Sequence, residues 1–257
     1  MPALPSAQER PAIDRVLVLL PTYDERENLP RILERVHAAV PHADILVIDD
    51  NSPDGTGEMA DDFAASSAHI HVLHRRGKEG LGKAYLAGFA WGLERGYDAL
   101  VEIDADGSQP AEELPAMLEL ARQADLVIGS RWIKGGSVVN WPKQREVLSR
   151  GANLYVRALL GTHVHDATAG YRVYRAPMLR AIDLDGITTS GYGFQVDLTL
   201  RVLEAGGVVV EHPIRFAERE FGVSKMSRDI IAEAFTLVTM SGLQHRARQM
   251  KALLPGR

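Results

Sequence analysis

Arg15-Val16-Leu17-Val18-Leu19-Leu20-Pro21-Thr22-Tyr23-Asp24-Glu25 and, further on, Ile45-Leu46-Val47-Ile48-Asp49-Asp50 are two unbroken apolar runs that end in acid. A short continuous run of aliphatic and β-branched residues bounded by polar ones reads as a strand buried on both faces. Arg15–Leu20 and Ile45–Ile48 are therefore read as strands, and Asn28–Val40 between them, with apolar residues at helical spacing, as a helix. The rhythm continues outward with Thr56–Ser66 as helix, Ile70–Leu73 as strand, Leu81–Arg95 as helix and Ala99–Ile103 as strand. Glu112–Gln123, after the Pro110 signal, is read as helix and Leu126–Ile128 as strand. Strands alternating with helices predict an α/β fold, a mostly parallel, doubly wound, Rossmann-like sheet flanked by helices.

Beyond Gly129 the rhythm changes. Gly135-Gly136-Ser137 leads through Trp141-Pro142 into a helix over Gln144–Leu160. Residues 1–14 read as a disordered lead-in, 15–225 as the α/β domain and 226–257 as a C-terminal amphipathic helix. Ile230, Ile231, Phe235 and Val238 give that helix an apolar face suited to docking on a membrane or a partner.

Composition removes several classes of function. A formal charge of -5 leaves no global basic field, so nucleic acid is not an expected partner. The absence of cysteine excludes disulfides, thiolate metal sites and thiol nucleophiles. Met1–Asp14 has no apolar h-region, and no uncharged apolar run approaches the roughly 18 to 20 residues of a spanning helix. The expected location is the cytoplasm, with any membrane attachment peripheral. Gly80-Leu81-Gly82 lacks a third glycine and does not follow the first strand, which argues against a dinucleotide-binding dehydrogenase.

Ligands of doubly wound sheets collect at the carboxyl ends of the strands. Here those ends read Pro21-Thr22-Tyr23-Asp24-Glu25, Asp49-Asp50-Asn51-Ser52 and Asp104-Ala105-Asp106. Two carboxylates one residue apart at a strand end can approach a nucleotide diphosphate through a hard divalent cation, Mg²⁺ or Mn²⁺. An isolated Asp-x-Asp is more often ordinary turn chemistry; the company of two further acidic strand tips favours a site.

Several separate motifs stand in one order: Leu20-Pro21-Thr22-Tyr23-Asp24-Glu25, Val47-Ile48-Asp49-Asp50-Asn51-Ser52-Pro53-Asp54-Gly55, Gly80-Leu81-Gly82-Lys83-Ala84-Tyr85, Asp104-Ala105-Asp106 and Gly129-Ser130-Arg131. Asn140-Trp141-Pro142, Ser149-Arg150-Gly151-Ala152, Asp166-Ala167-Thr168-Ala169-Gly170-Tyr171-Arg172 and Gly222-Val223-Ser224-Lys225 follow. Over about Val16 to Lys225 the chain resembles the family-2 inverting glycosyltransferases of the GT-A fold, and among them the polyprenyl-phosphate (dolichyl-phosphate) mannosyltransferases.

The resemblance implies a GDP-mannose donor and a polyprenyl phosphate acceptor, with catalysis resting on Asp104, Arg131 and Arg145. It places the donor against Pro21, Tyr23, Glu25, Ile48, Asp50, Asp104, Ala105, Asp106, Arg131, Arg219 and Lys225, and the acceptor phosphate against Arg131, Arg145 and Ser149. It assigns the metal to Asp106. Where the family carries a polar residue, His and Pro after its acidic motif, this chain has Gly107-Ser108-Gln109-Pro110, so the second metal ligand is Ser108 or Gln109. The resemblance further implies work at the cytoplasmic face of a membrane, reached through an amphipathic helix or a membrane-protein partner. UDP-glucose as donor, and a non-catalytic subunit of a membrane transferase, are the alternatives.

Overall fold

The computed structural model describes residues 10–187 and 191–218. The expected C-terminal helix, Arg219 and Lys225 lie outside the described residues. The elements run β1 (Val16–Thr22), α1 (Leu29–Ala39), β2 (Asp44–Asp49), α2 (Thr56–Ser66), β3 (Ile70–His74), α3 (Leu81–Glu94) and β4 (Ala99–Glu102). After them come α4 (Leu114–Leu120), β5 (Leu126–Ser130), β6 (Ser137–Val139) and α5 (Lys143–Leu160). The last are β7 (Arg172–Arg175), α6 (Ala176–Ala181), α7 (Gly191–Glu204), β8 (Val209–Pro213) and β9 (Arg215–Ala217). The segment read as one helix over Glu112–Gln123 is a 3-10 turn, Ala111–Glu113, followed by the short α4 with Pro115 in its first turn.

Seven strands form one sheet in the order β3-β2-β1-β4-β7-β5-β8, and β6 pairs with β9 in a small second sheet. All pairings in the large sheet are parallel except those of β7, which runs antiparallel to both β4 and β5. Leu17, Leu19, Leu46 and Ile48 face one core with Tyr85, Phe89 and Phe194, while Val18, Leu20, Ile45 and Val47 face the other with Ile32, Val36 and Met117. Burial on both faces explains why these strands carry no polar alternation. The chain reverses its winding between β1 and β4, and the carboxyl ends of neighbouring strands there frame a crevice.

At the opposite edge the lead-in is shorter than expected. Arg10 forms a buried ion pair with Asp125, Arg175 donates to the Pro11 carbonyl, and the Asp14 and Arg15 amides donate to Asp98 Oδ2 at 3.1 and 2.8 Å. Residues 10–14, expected to be disordered, are thus bound across the amino ends of β4 and β5. Ile13 packs against the core beside these polar contacts.

Candidate active site

The β1 and β2 tips are tied to one another. Thr22 Oγ1 donates to Asp49 Oδ1 at 3.0 Å, and Ser52 donates to the same carboxylate through its amide (3.0 Å) and its hydroxyl (2.6 Å). Asp49 is therefore a structural carboxylate. Asp24 and Asn51, one at each tip, hold positive φ values of 55° and 58°, a backbone arrangement that neighbouring contacts must sustain. Ser52 Oγ also accepts the Asp24 amide at 3.1 Å. Glu25 accepts Asn28 Nδ2 at 2.7 Å, and Lys78 Nζ sits 4.3 Å from the centroid of the Tyr23 ring. Asp50 is buried and ion-paired with Arg75, which reaches on to Glu79 at 3.0 Å. Burial raises the Asp50 carboxyl above its ordinary range, and the Arg75 guanidinium opposes that rise. Nothing in the sequence marked Arg75 as the partner of Asp50.

Asp104 leaves β4 with both oxygens engaged: Tyr85 OH donates to Oδ1 at 3.3 Å and Gln109 Nε2 to Oδ2 at 2.8 Å. Gln109 Oε1 in turn accepts the Asp104 amide at 2.9 Å. Gln109, expected beside Asp106 as a metal ligand, is thus a two-point brace on Asp104. Ser108 is in a different position. Its amide donates to Asp106 Oδ1 at 3.0 Å, while its hydroxyl is buried and has no hydrogen-bond partner among the described residues. A buried hydroxyl without a partner is costly unless something occupies the space before it. Asp106 and Ser108 thus offer a carboxylate and a hydroxyl two residues apart, hard oxygens of the kind Mg²⁺ or Mn²⁺ takes.

Behind the tip lies a group the sequence did not single out. Glu102 is fully buried, its Oε2 accepts Gln195 Nε2 at 2.9 Å, and its carboxyl is pushed up to about 8 by burial, with the buried Arg172 opposing. Glu102 Oε1 and Gln195 Oε1 both lack partners among the described residues. A proton on the carboxyl turns one of those two acceptors into a donor, which agrees with the raised value.

Arg131 follows β5 and is 5% exposed. Its amide, Nε and Nη2 donate to the fully buried Asp166 at 3.0, 2.7 and 2.7 Å, and Nη2 reaches Thr168 Oγ1 at 3.1 Å. Its guanidinium carbon lies 5.4 Å from the Trp132 ring centroid and 5.5 Å from those of Trp141 and Phe216. Arg145, on the first turn of α5, stacks on the outer side of this aromatic group at 3.9 Å from Trp141, with Glu218 at 3.6 Å. The two expected acceptor cations therefore share one indole. Ser149 stands one turn further along α5, where its carbonyl accepts Asn153 Nδ2 at 3.0 Å; the same amide reaches Thr168 Oγ1 at 3.0 Å. Asp166 and Thr168, both in the motif Asp166–Arg172, join Arg131 to Asn153 of α5.

Gln109, Gly170, Arg131 and Phe216 line one cleft, which brings the brace of Asp104 and the Arg131 guanidinium to the same opening. Ala217 N donates to the Ser108 carbonyl at 3.0 Å, so the chain leaves β9 directly against the acidic loop. Acidic strand tips at the switch point of a mostly parallel sheet, with Arg131 and Arg145 on the β5 side, are the arrangement of a GT-A transferase fold. The chain belongs to glycosyl transferase family 2, whose profile matches residues 17–183. It is 57% identical over 240 residues to the undecaprenyl-phosphate mannosyltransferase of Micrococcus luteus, covering 93% of this chain and 99% of that one. It is 54% identical over 242 residues to the polyprenol monophosphomannose synthase of Mycolicibacterium smegmatis, covering 93% and 91%. In fold it matches glucosyl-3-phosphoglycerate synthase of Mycobacterium tuberculosis, solved with Mn²⁺, UDP-glucose and phosphoglyceric acid, with a TM-score of 0.63 at 18% identity over 88% of this chain and 80% of that one.

Proposed function

We propose that the protein transfers mannose from GDP-mannose to the phosphate of a polyprenol, inverting the anomeric centre. The observation that carries this reading is the division of charge between an acidic β4 tip, at Asp104 and Asp106, and a guanidinium pair, Arg131 and Arg145, at the Trp141 ring, with Gln109 of the acidic loop and Arg131 lining one pocket. A reaction between two phosphate-bearing molecules needs that division, because each anion must be neutralised where it sits. Mannose and the polyprenyl phosphate are supported by the names of the two close relatives, and GDP by the resemblance of the strand-tip motifs.

On this reading Pro21, Tyr23, Glu25, Ile48 and Asp50 hold the nucleoside, and Asp104, Ala105 and Asp106 meet the diphosphate. Asp106 and Ser108 would hold a divalent cation, which when bound supplies charge neutralisation to the departing diphosphate. Arg219 and Lys225, in the segment after Glu218, add cations on the donor side. Arg131, Arg145 and Ser149 orient the acceptor phosphate, whose oxygen is already anionic at neutral pH, so no side chain has to remove a proton. Attack in line with the departing diphosphate inverts the sugar carbon.

The acceptor's tail is insoluble, so the protein works at the cytoplasmic face of a bilayer, by itself or through a membrane-protein partner. No helix among the described residues is long and apolar enough to cross a membrane. Beside Arg145 and Ser149, however, α5 exposes Val147, Leu148 and Leu154.

The test is transfer of labelled sugar from GDP-mannose, with UDP-glucose in parallel, to a short polyprenyl phosphate in detergent with Mg²⁺ or Mn²⁺. Label in the organic phase from GDP-mannose alone, lost in Asp106→Ala, is the expected result. Label from UDP-glucose would overturn the sugar, and label from neither would overturn the activity.

A further inference from the structure

Several of the described glycines have no room for a methyl. At Gly82 it would meet the Phe194 ring at 2.9 Å, at Gly92 the Leu100 side chain at 2.7 Å, and at Gly136 the Ser130 carbonyl at 2.6 Å. Those glycines are required by packing. Gly170 is different. It has no positive φ, and a methyl there would meet only Gln109 Nε2 at 3.6 Å, Asp104 Oδ2 at 3.9 Å and Gln195 Nε2 at 3.9 Å. All three are ordinary van der Waals distances. The fold itself has room for alanine at the centre of the candidate site.

The three atoms nearest that room are all polar. Gln109 Nε2 uses one hydrogen on Asp104 Oδ2 (2.8 Å), and Gln195 Nε2 uses one on Glu102 Oε2 (2.9 Å). Each amide nitrogen has a second hydrogen. Three elements therefore converge on a gap about one methyl wide, edged by two amide nitrogens and a carboxylate oxygen, whose floor is the bare Cα of a half-buried glycine. Gly170 also lines one cleft with Gln109 and Arg131, and a Cβ on it would stand 3.9 Å from Asp104 Oδ2, so the niche adjoins both the acidic tip and the Arg131 side.

We infer that this niche receives one hydroxyl of the transferred sugar, with Gly170 as a specificity-determining residue and Gln195 and Gln109 as its polar walls. The inference rests on the sugar-transfer reading above and deepens it. A hydroxyl suits the niche because it can accept from an amide N–H and donate to Asp104 Oδ2 at once, and a methyl at position 170 takes the same volume without either bond. Selection against an added methyl in a polar niche is steric and also leaves polar groups unpaired.

The experiment compares the full chain with Gly170→Ala in three measurements: thermal unfolding, calorimetric binding of GDP and of GDP-mannose with Mg²⁺, and transfer to polyprenyl phosphate. The expected result is an unfolding midpoint within about 3 °C of wild type and unchanged GDP affinity, with kcat/KM for transfer down at least roughly tenfold. Among donors lacking single hydroxyls, the one missing the niche hydroxyl should show the smallest difference between wild type and variant. Equal kcat/KM in the two proteins would overturn the inference, as would a loss of GDP affinity matching the loss of turnover, since that is a distorted acidic tip. If wild type turns over no GDP-mannose, the sugar-transfer reading fails on its own. The niche is then judged by binding: a sugar nucleotide that binds wild type more tightly than its diphosphate, by a margin that Gly170→Ala abolishes, would uphold it, and no such margin for GDP-mannose or UDP-glucose would overturn it.

Discussion

Replacing Asp166 by asparagine removes the charge opposite Arg131 while keeping the shape of the side chain. Asp166 is fully buried and Arg131 only 5% exposed, and three of the Arg131 donors end on this one carboxylate. An amide in its place turns one acceptor into a donor aimed at a guanidinium and leaves that cation buried without its counter-charge. Removing one partner of a buried pair costs about 3 to 5 kcal/mol. For a domain of this size that lowers the unfolding midpoint by roughly 6 to 20 °C. Arg131→Met should cost a similar amount by stranding the carboxylate. The double variant Arg131→Met with Asp166→Asn should be more stable than either single change, because no uncompensated charge remains. Calorimetric unfolding of the four proteins gives the coupling, and the transfer assay on the same samples separates two roles for Arg131. If its guanidinium meets the acceptor phosphate, stability recovers in the double variant and transfer stays at the level of Arg131→Met. Recovery of transfer together with stability would refute that role and leave Arg131 as scaffold. A cost below about 1 kcal/mol for Asp166→Asn would refute the burial argument itself.

Three further outcomes follow from the same geometry. Unfolded, Glu102 titrates near 4.5, whereas in the fold it titrates at about 8, so between those values the native state holds a proton the unfolded chain has released. Stability therefore falls through this group as pH rises from 5 to 8, by at most on the order of 5 kcal/mol, and Glu102→Gln should flatten that slope in denaturant titrations; an unaltered slope would mean Glu102 is ionised. Ser108→Ala removes a buried hydroxyl without a partner, so its unfolding midpoint should match or exceed that of wild type while the Mg²⁺ concentration for half-maximal transfer rises roughly tenfold; an unchanged metal requirement would exclude Ser108 as a ligand. Arg75→Met takes away the cation that opposes the burial-driven rise of Asp50, so the KM for GDP-mannose should climb more steeply in the variant than in wild type as the pH is lowered, and identical KM profiles would refute a donor role for the Asp50 charge.

Most of the sheet could be read from the sequence because β1, β2, β4 and β5 are buried on both faces, and such strands appear as unbroken apolar runs. β7 did not. Its sequence Arg172-Val173-Tyr174-Arg175 has a guanidinium at each end, which normally marks a surface strand, yet Arg172 is fully buried and Arg175 is 2% exposed. Arg172 is accommodated by the Ala169, Ala167 and Gln195 carbonyls at 2.7, 2.6 and 3.0 Å. No local pattern shows that acceptors from α7 and the 167–169 turn will be waiting, so the antiparallel strand wedged between β4 and β5 becomes legible only once the chain has closed on itself.

The site divides along the same line. Groups that would meet ligands sit at strand ends, where the runs Asp49-Asp50 and Asp104-Ala105-Asp106 announce themselves by breaking an apolar stretch. Groups that hold them in place come from far away in sequence: Asp166 is 35 residues from Arg131, and Gln195 is 93 from Glu102. Gln109 is an exception. The resemblance made it a candidate metal ligand, and the structure shows what it does besides: five residues across a tight loop is a separation at which an amide can close on both the carboxylate and the amide of the same aspartate. Asp104 thus reaches the cleft already fixed by Tyr85 and Gln109, and Tyr85 is itself stacked on Phe194 of α7 with ring centroids 6.4 Å apart. Because α7 also supplies Gln195, one helix late in the chain sets both the aim of the acid at the β4 tip and the wall beside it. Substitutions in α7 should therefore alter turnover before they alter nucleotide affinity, since the β1 and β2 tips are braced by Thr22, Asp49 and Ser52 without it.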